Sequence, residues 1–209
     1  KTGITSYAEQ GGVFRAKHMA KALYAFAPQG GISTADDLIE FAAAVNAGET
    51  LAPWQDDKGV VVLLDDIDLA EVTEWTPIGA ATSKLANNAL SITSGRPFTG
   101  YFDGQGHTVR NLKIVVPADA AAGSAWGLFG VLKGATVRNL AIGEGSSVVS
   151  TAAAMTAVGA VAGYAYEATI ENCENRAAID IQGGGDNVRE SAGGIVGAIC
   201  ANGNDSHIL

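Results

Sequence analysis

The spacing of apolar residues divides the chain into a short N-terminal part with helical periodicity and a long remainder without it. Leu38, Ile39, Phe41, Ala42 and Val45 recur at helical intervals. Thr34 precedes them with Asp37 three residues on, a capping-box-like start, and Asn46-Ala47-Gly48 supplies a stop. The pattern predicts an amphipathic helix over 35–47. A second helix is expected over 13–27, between Gly11-Gly12 and Gly30-Gly31. Val60-Val61-Val62-Leu63-Leu64 reads as a buried strand that passes into alternation through Asp65-Asp66-Ile67-Asp68-Leu69. Trp75 to Gly79 forms a short extended piece and turn, and the small, polar residues 80–97 read as an inserted loop.

From Phe98 onward the pattern repeats. Thr108-Val-Arg-Asn-Leu112 returns as Thr136-Val-Arg-Asn-Leu140 and as Thr169-Ile-Glu-Asn-Cys173, 28 and then 33 residues later. Gly127-Leu-Phe-Gly130 returns as Ala160-Val-Ala-Gly163 and Gly194-Ile-Val-Gly197, at steps of 33 and 34. Val109 and Leu112 are three apart, so plain alternation fails unless the chain bends between them. Asn111 can supply that bend, because asparagine tolerates the left-handed backbone region. Asn139 and Asn172 hold the same place, and the three are expected to stack as a ladder. No helical pattern separates these short strands, so a parallel sheet made from them must coil on itself. The expected fold is mostly β, a right-handed parallel β-helix with an N-terminal capping helix. The expected divisions are an N-terminal extension at 1–31, a cap with the first strands at 32–97, and β-helix repeats at 98–209.

Composition fits this organisation. Glycine accounts for 27 of 209 residues, about 13% against a usual value near 7%, as frequent tight turns require. The net charge of −9 is uneven: residues 1–31 carry Lys1, Arg15, Lys17 and Lys21 against Glu9, and the remainder is strongly acidic. An acidic body argues against nucleic acid and against anionic membranes. No apolar run approaches the ~20 residues of a membrane span, so no membrane insertion is expected. Two cysteines, Cys173 and Cys200, do not make a disulfide framework. A chain that opens at Lys1 is expected to be a processed product or a fragment, and the interrupted copy at His207-Ile208-Leu209 suggests further repeats beyond it.

The stretch Phe98-Thr-Gly-Tyr-Phe-Asp-Gly-Gln-Gly-His-Thr-Val-Arg-Asn-Leu112, followed by Gly127-Leu-Phe-Gly130, resembles the GLUG-motif repeat proteins of bacterial surfaces. The resemblance runs from about Ile32 to the end. It implies a β-helix, export, and adhesion or display, and it carries no catalytic set. Ala160 and Ala162 depart from the motif's Gly and Phe.

Several side chains could carry chemistry, each with a plainer alternative. Asp103 and His107 could bind a ligand or metal. The sequence Asp103-Gly104-Gln105-Gly106-His107 is better read as a tight turn, since no second His or Cys lies nearby. Asp65, Asp66 and Asp68, with Glu71 and Glu74 close by, could offer oxygens to calcium. Alternation places Asp66 and Asp68 on one face and Asp65 on the other, so a solvated strand edge is the simpler reading. Arg110, Arg138 and Glu171 share a repeat position and could clamp an anion or a polysaccharide, or form a surface charge ladder. Trp54, Trp75 and Trp126 could stack on sugars or plug the core. Cys173 takes the place of Leu112 and Leu140 and is expected to be buried.

The residues show no converging catalytic constellation and call for no metal or cofactor. The expected function is a non-catalytic scaffold, secreted or on a bacterial cell surface, that adheres to a host or cell-surface protein or glycan. The alternatives are a carbohydrate-active β-helix enzyme, a polysaccharide lyase or hydrolase, and a spacer module of a larger secreted peptidase.

Overall fold

The computed structural model describes residues 30–86, 89–182, 191–201 and 206–209. The helix expected over 13–27 lies outside them. Helix α1 spans Ala35–Ala47, the bounds its caps predict. The Thr34 hydroxyl accepts from the Asp37 amide at 3.1 Å, and the Asp37 carboxylate accepts from the Thr34 and Ser33 amides at 3.0 Å each. Gly48 closes the helix at φ 73°. Leu38, Phe41, Ala42 and Val45 are buried, as is Ala44. Ile39, expected to lie with them, is 40% exposed; the buried positions follow i, i+3, i+4, i+7 from Leu38, and Ile39 falls off that stripe. Phe41 meets Trp54, Phe98 and Phe102 with ring centroids 5.7, 6.0 and 6.1 Å away, which seats the helix on the first strands. Asn46 adds two hydrogen bonds, donating to the Pro77 carbonyl at 3.0 Å and accepting from the Ala80 amide at 2.9 Å.

The remainder is strand-rich, with strands over 48% of the described residues, and the named strands pair in parallel apart from one hairpin. The first row runs β1 (Val61–Val62), β5 (Tyr101–Asp103), β10 (Thr136–Ile142), β14 (Thr169–Asn175) and β18 (His207–Ile208). Beside it, β2 (Ile67–Asp68) pairs with β6 (Thr108–Arg110), which pairs with the end of β10. A second row holds β7 (Lys113–Val116), β11 (Ser147–Ser150) and β15 (Ala178–Ile181). A third holds β8 (Ala125–Trp126), β12 (Ala157–Gly159) and β16 (Ser191–Gly193). A fourth holds β9 (Phe129–Lys133), β13 (Ala162–Tyr166) and β17 (Val196–Cys200). All four rows contribute to one buried cluster, through Phe102, Val137 and Ile170, then Ile114 and Val148, then Val158, then Phe129, Leu132 and Ala165.

Register in the fourth row follows the sequence repeat, with Phe129 opposite Ala162 and Ala162 opposite Val196. The glycines of that repeat have a steric cause. A Cβ on Gly163 would lie 2.3 Å from the Trp126 amide nitrogen, and one on Gly197 2.3 Å from that of Val158. These glycines let the fourth row approach the backbone of the third.

In the first row the expected register holds for one step and fails for the other. Thr136 to Arg138 and Leu140 pair with Thr169 to Glu171 and Cys173. On its other side Thr136 pairs with Tyr101, not Thr108, and Thr108 pairs with Ala141. A tight turn separates β5 from β6, closed by the His107 amide donating to the Gly104 carbonyl at 2.8 Å. Its central residues, Gln105 and Gly106, have φ of 52° and 86°, the signs that a type I′ turn requires. The phrase Thr-Val-Arg-Asn-Leu therefore serves two different bends, and the step of 28 residues is not a stacking period. The asparagines do bend the chain as expected, with φ of 58° at Asn111, 54° at Asn139 and 49° at Asn172.

Residues 80–97, expected as a loop, hold an antiparallel hairpin of β3 (Ala81–Ala86) and β4 (Ala89–Gly95). Ile78 pairs with Phe129 before it and Phe98 with Leu132 after it, so the hairpin is an excursion from a fourth-row position. Its Ala81 and Leu90 bury a second cluster with Val131 and Tyr166. Covering that outer apolar face is what makes so weakly apolar a segment fold as strand.

Gly163→Ala should destabilise the protein by about 1–3 kcal/mol through overpacking, read as a lower urea midpoint with an unchanged slope. An unchanged midpoint would mean that the third and fourth rows are not in this close contact.

Candidate functional site

The polar side chains marked by sequence collect on the outward side of the first row and its β2–β6 flank, where each Arg-Asn pair grips the aspartate of the preceding strand. Asp103 ends β5. One of its oxygens accepts from the Gln105 amide and the Asn139 side chain, both at 2.9 Å. The other accepts from Arg138 Nε at 2.9 Å. Asp68 is held in the same way, by Asn111 Nδ2 at 2.7 Å, the Ala70 amide at 3.0 Å and Arg110 Nε at 3.0 Å. The third copy has Glu171 in place of arginine, and there Asn172 Nδ2 donates to Asn139 Oδ1 at 2.9 Å.

The expected ladder of three asparagines thus resolves into two pieces. Asn172, Asn139 and Asp103 form one chain of hydrogen bonds. Asn111 belongs to the other bend and bonds Asp68. The charge ladder is corrected in the same sense: Arg138 lies between Asp103 and Glu171, and Arg110 lies opposite Asp68. An apolar-Asp pair one strand upstream, Ile67-Asp68 or Phe102-Asp103, was the available sequence signal for these partners.

Local bonding lowers the carboxyl pKa of these aspartates. Burial pushes the Asp103 carboxyl up, but the bonds from Asn139, the Gln105 amide and Arg138 together hold it below the usual carboxylate range. The Asn111 amide, the Ala70 amide and Arg110 lower Asp68. The Thr108 amide, 2.9 Å from Asp66 Oδ1, lowers Asp66, helped by His107.

His107 does not join Asp103, as a ligand loop over 103–107 would need; its Nδ1 lies 3.3 Å from Asp66. Asp66 and Asp68 turn to different partners, while Asp65, Glu71 and Glu74 are exposed. Among the described residues no three His, Cys, Asp or Glu side chains lie together to hold a metal ion. Of the tryptophans, Trp75 is buried and donates to the Leu128 carbonyl at 3.2 Å. Trp54 is half-buried, edge-on to Phe41, and Trp126 is half-buried, donating to the Ser124 hydroxyl at 2.8 Å.

Cys173 occupies the Leu140 register position but is only half-buried, as is Cys200, and both thiols are free. The full burial expected of Cys173 is not observed; on that side of β14, β18 pairs with Thr169 and Ile170. The burial it does have pushes its thiol pKa up.

No protein-family model, curated protein or solved structure matches the chain.

Asn139 both donates and accepts within its chain, so its loss should cost more than that of Asn172. Asn139→Gly keeps the left-handed backbone accessible and should cost about 1–3 kcal/mol, with Asn172→Gly nearer the lower end. Equal midpoints for both variants and the parent would show that the chain of bonds carries no stability. A carboxyl lowered by folding stabilises above its unfolded value near ~3.9, and that contribution is lost as pH falls through the folded value. The stability gap between the parent and Asp103→Asn should therefore be full at pH 7 and shrink below about pH 4, as read from urea midpoints at pH 7 and pH 3.

Proposed function

We propose that this chain is a non-catalytic scaffold built as a right-handed parallel β-helix, displayed or secreted by a bacterial cell and used in adhesion. The observation that carries the proposal is how the carboxylates considered for ligand or metal binding are engaged: Asp66, Asp68 and Asp103 each take hydrogen bonds from the next strand. A retaining or inverting glycosidase needs two carboxyl groups facing one open space. A calcium-dependent lyase needs several carboxylates free to converge on the ion. Three of the candidates are instead held by the fold.

The coil reading draws support from parallel rows that share one core and from connections without helices among the described residues after α1, apart from a single 3-10 turn at Ala52–Trp54. The right hand follows from the general preference of parallel crossovers. Bacterial display rests on the likeness of Phe98–Leu112 and Gly127–Gly130 to the GLUG repeats, whose second glycine has a steric role here at Gly163 and Gly197.

The test is a screen for turnover together with cell binding. Incubation with neutral and uronate-containing polysaccharides should release neither reducing ends nor unsaturated products, and fluorescently labelled protein should bind host epithelial cells saturably. Turnover abolished by Asp66→Asn or Asp103→Asn would overturn the scaffold reading, and absence of saturable binding would overturn the adhesive role.

A further inference from the structure

We propose that the outward face of the first row is a binding face for an uncharged polysaccharide, with Tyr101 as its stacking platform; this deepens the adhesion reading and rests on it. Two outward columns run across the row. Register aligns Tyr101, Thr136, Thr169 and His207 in one, and Asp103, Arg138 and Glu171 in the other. Parallel strands step by about 4.8 Å, so the first column extends about 14 Å along the stack by that spacing. That makes a straight, ridged track suited to an extended chain of sugar rings.

The polar groups along the two columns are unevenly engaged. Asp103 is only 14% exposed at its side chain and is bonded by three donors. Tyr101 is 61% exposed. Among the described residues its hydroxyl, the hydroxyls of Thr136 and Thr169, and the Glu171 carboxylate make no hydrogen bond or ion pair. Arg138 bonds Asp103 through Nε, and its side chain is 48% exposed. A sugar ring offers an apolar C–H face and a rim of hydroxyls. An exposed aromatic ring takes the first, and a column of hydroxyls, a carboxylate and guanidinium nitrogens takes the second.

Charge selects the class of glycan. Arg138 stands between two carboxylates, and the chain carries −9 overall. A uronate or sialylated chain would meet Glu171 and Asp103 with like charge, whereas an uncharged glycan meets no such barrier.

The test is calorimetric titration of the protein with cellohexaose, mannohexaose and chitohexaose, together with variants. At least one hexasaccharide should bind with a dissociation constant at or below the millimolar range. Tyr101→Ala should weaken it tenfold or more, and Tyr101→Phe should stay within threefold because the ring remains. Thr136→Val, nearly isosteric and without its hydroxyl, should weaken binding severalfold. Val115→Ser, at an exposed site in the second row, should change nothing. Binding by none of the three, or binding that survives Tyr101→Ala, would overturn this inference. Cell binding that persists while all three hexasaccharides fail would leave the adhesive reading standing and this face refuted. Conversion of a bound hexasaccharide to shorter chains would instead refute the scaffold reading.

Discussion

Everything in this molecule follows from parallel strands pairing with their equivalents one repeat away. Such pairing uses both edges of each inner strand, so lateral protection comes from neighbours in the stack. The apolar residues of all four rows then gather in one buried cluster. This explains why Phe102, Val137 and Ile170, aligned by register, sit in the same buried cluster as Val148 and Leu132. It also explains the glycines: where the third and fourth rows meet, even a single methyl at Gly163 would strike backbone.

Among the described residues, the apolar flank of the first strands is met by a single parallel bridge, Ile32 to Leu63, and needs further cover. Helix α1 answers that need. Its buried stripe includes Phe41, whose ring meets Phe98 and Phe102, and Asn46 fixes its far end to the Pro77–Ala80 segment. The hairpin does similar work on the outside, where Leu90 covers Val131 and Tyr166. Both are departures from the repeat, and both lie where the repeat alone would leave apolar surface in water.

How much of this was legible in the sequence depends on whether the signal was local. The helix was readable to the residue, because Thr34, Asp37 and Gly48 act through bonds to their own neighbours. The bends at Asn111, Asn139 and Asn172 were readable for the same reason. The register of β5 was not. The repeated phrase Thr-Val-Arg-Asn-Leu suggested a step from 108 to 136, whereas the strand that stacks on Thr136 is Tyr101-Phe-Asp103, which shares none of those letters. What repeats in the phrase is a task, an Arg-Asn pair gripping an upstream aspartate, and that task appears at two bends of the chain. The hairpin was missed because its strands owe their existence to the distant face they cover, and Ala81–Gly95 has little apolar pattern of its own.

The same grip explains how an acidic chain tolerates a stack with so small a step. Equivalent side chains in neighbouring parallel strands lie close enough that like charges destabilise and opposite charges help. Along the outward column the order is Asp103, Arg138, Glu171, and along the flank it is Asp68, Arg110; signs alternate at every step. A slip of one residue in β10 would turn Arg138 toward the space filled by Val137 and carry Val137 into solvent. It would also part Arg138 and Asn139 from Asp103. The apolar column inside and the alternating column outside therefore specify the same register from opposite faces of one sheet. The inner column resists a shift through burial, and the outer one adds direction, because the upstream aspartate accepts from both the guanidinium and the amide.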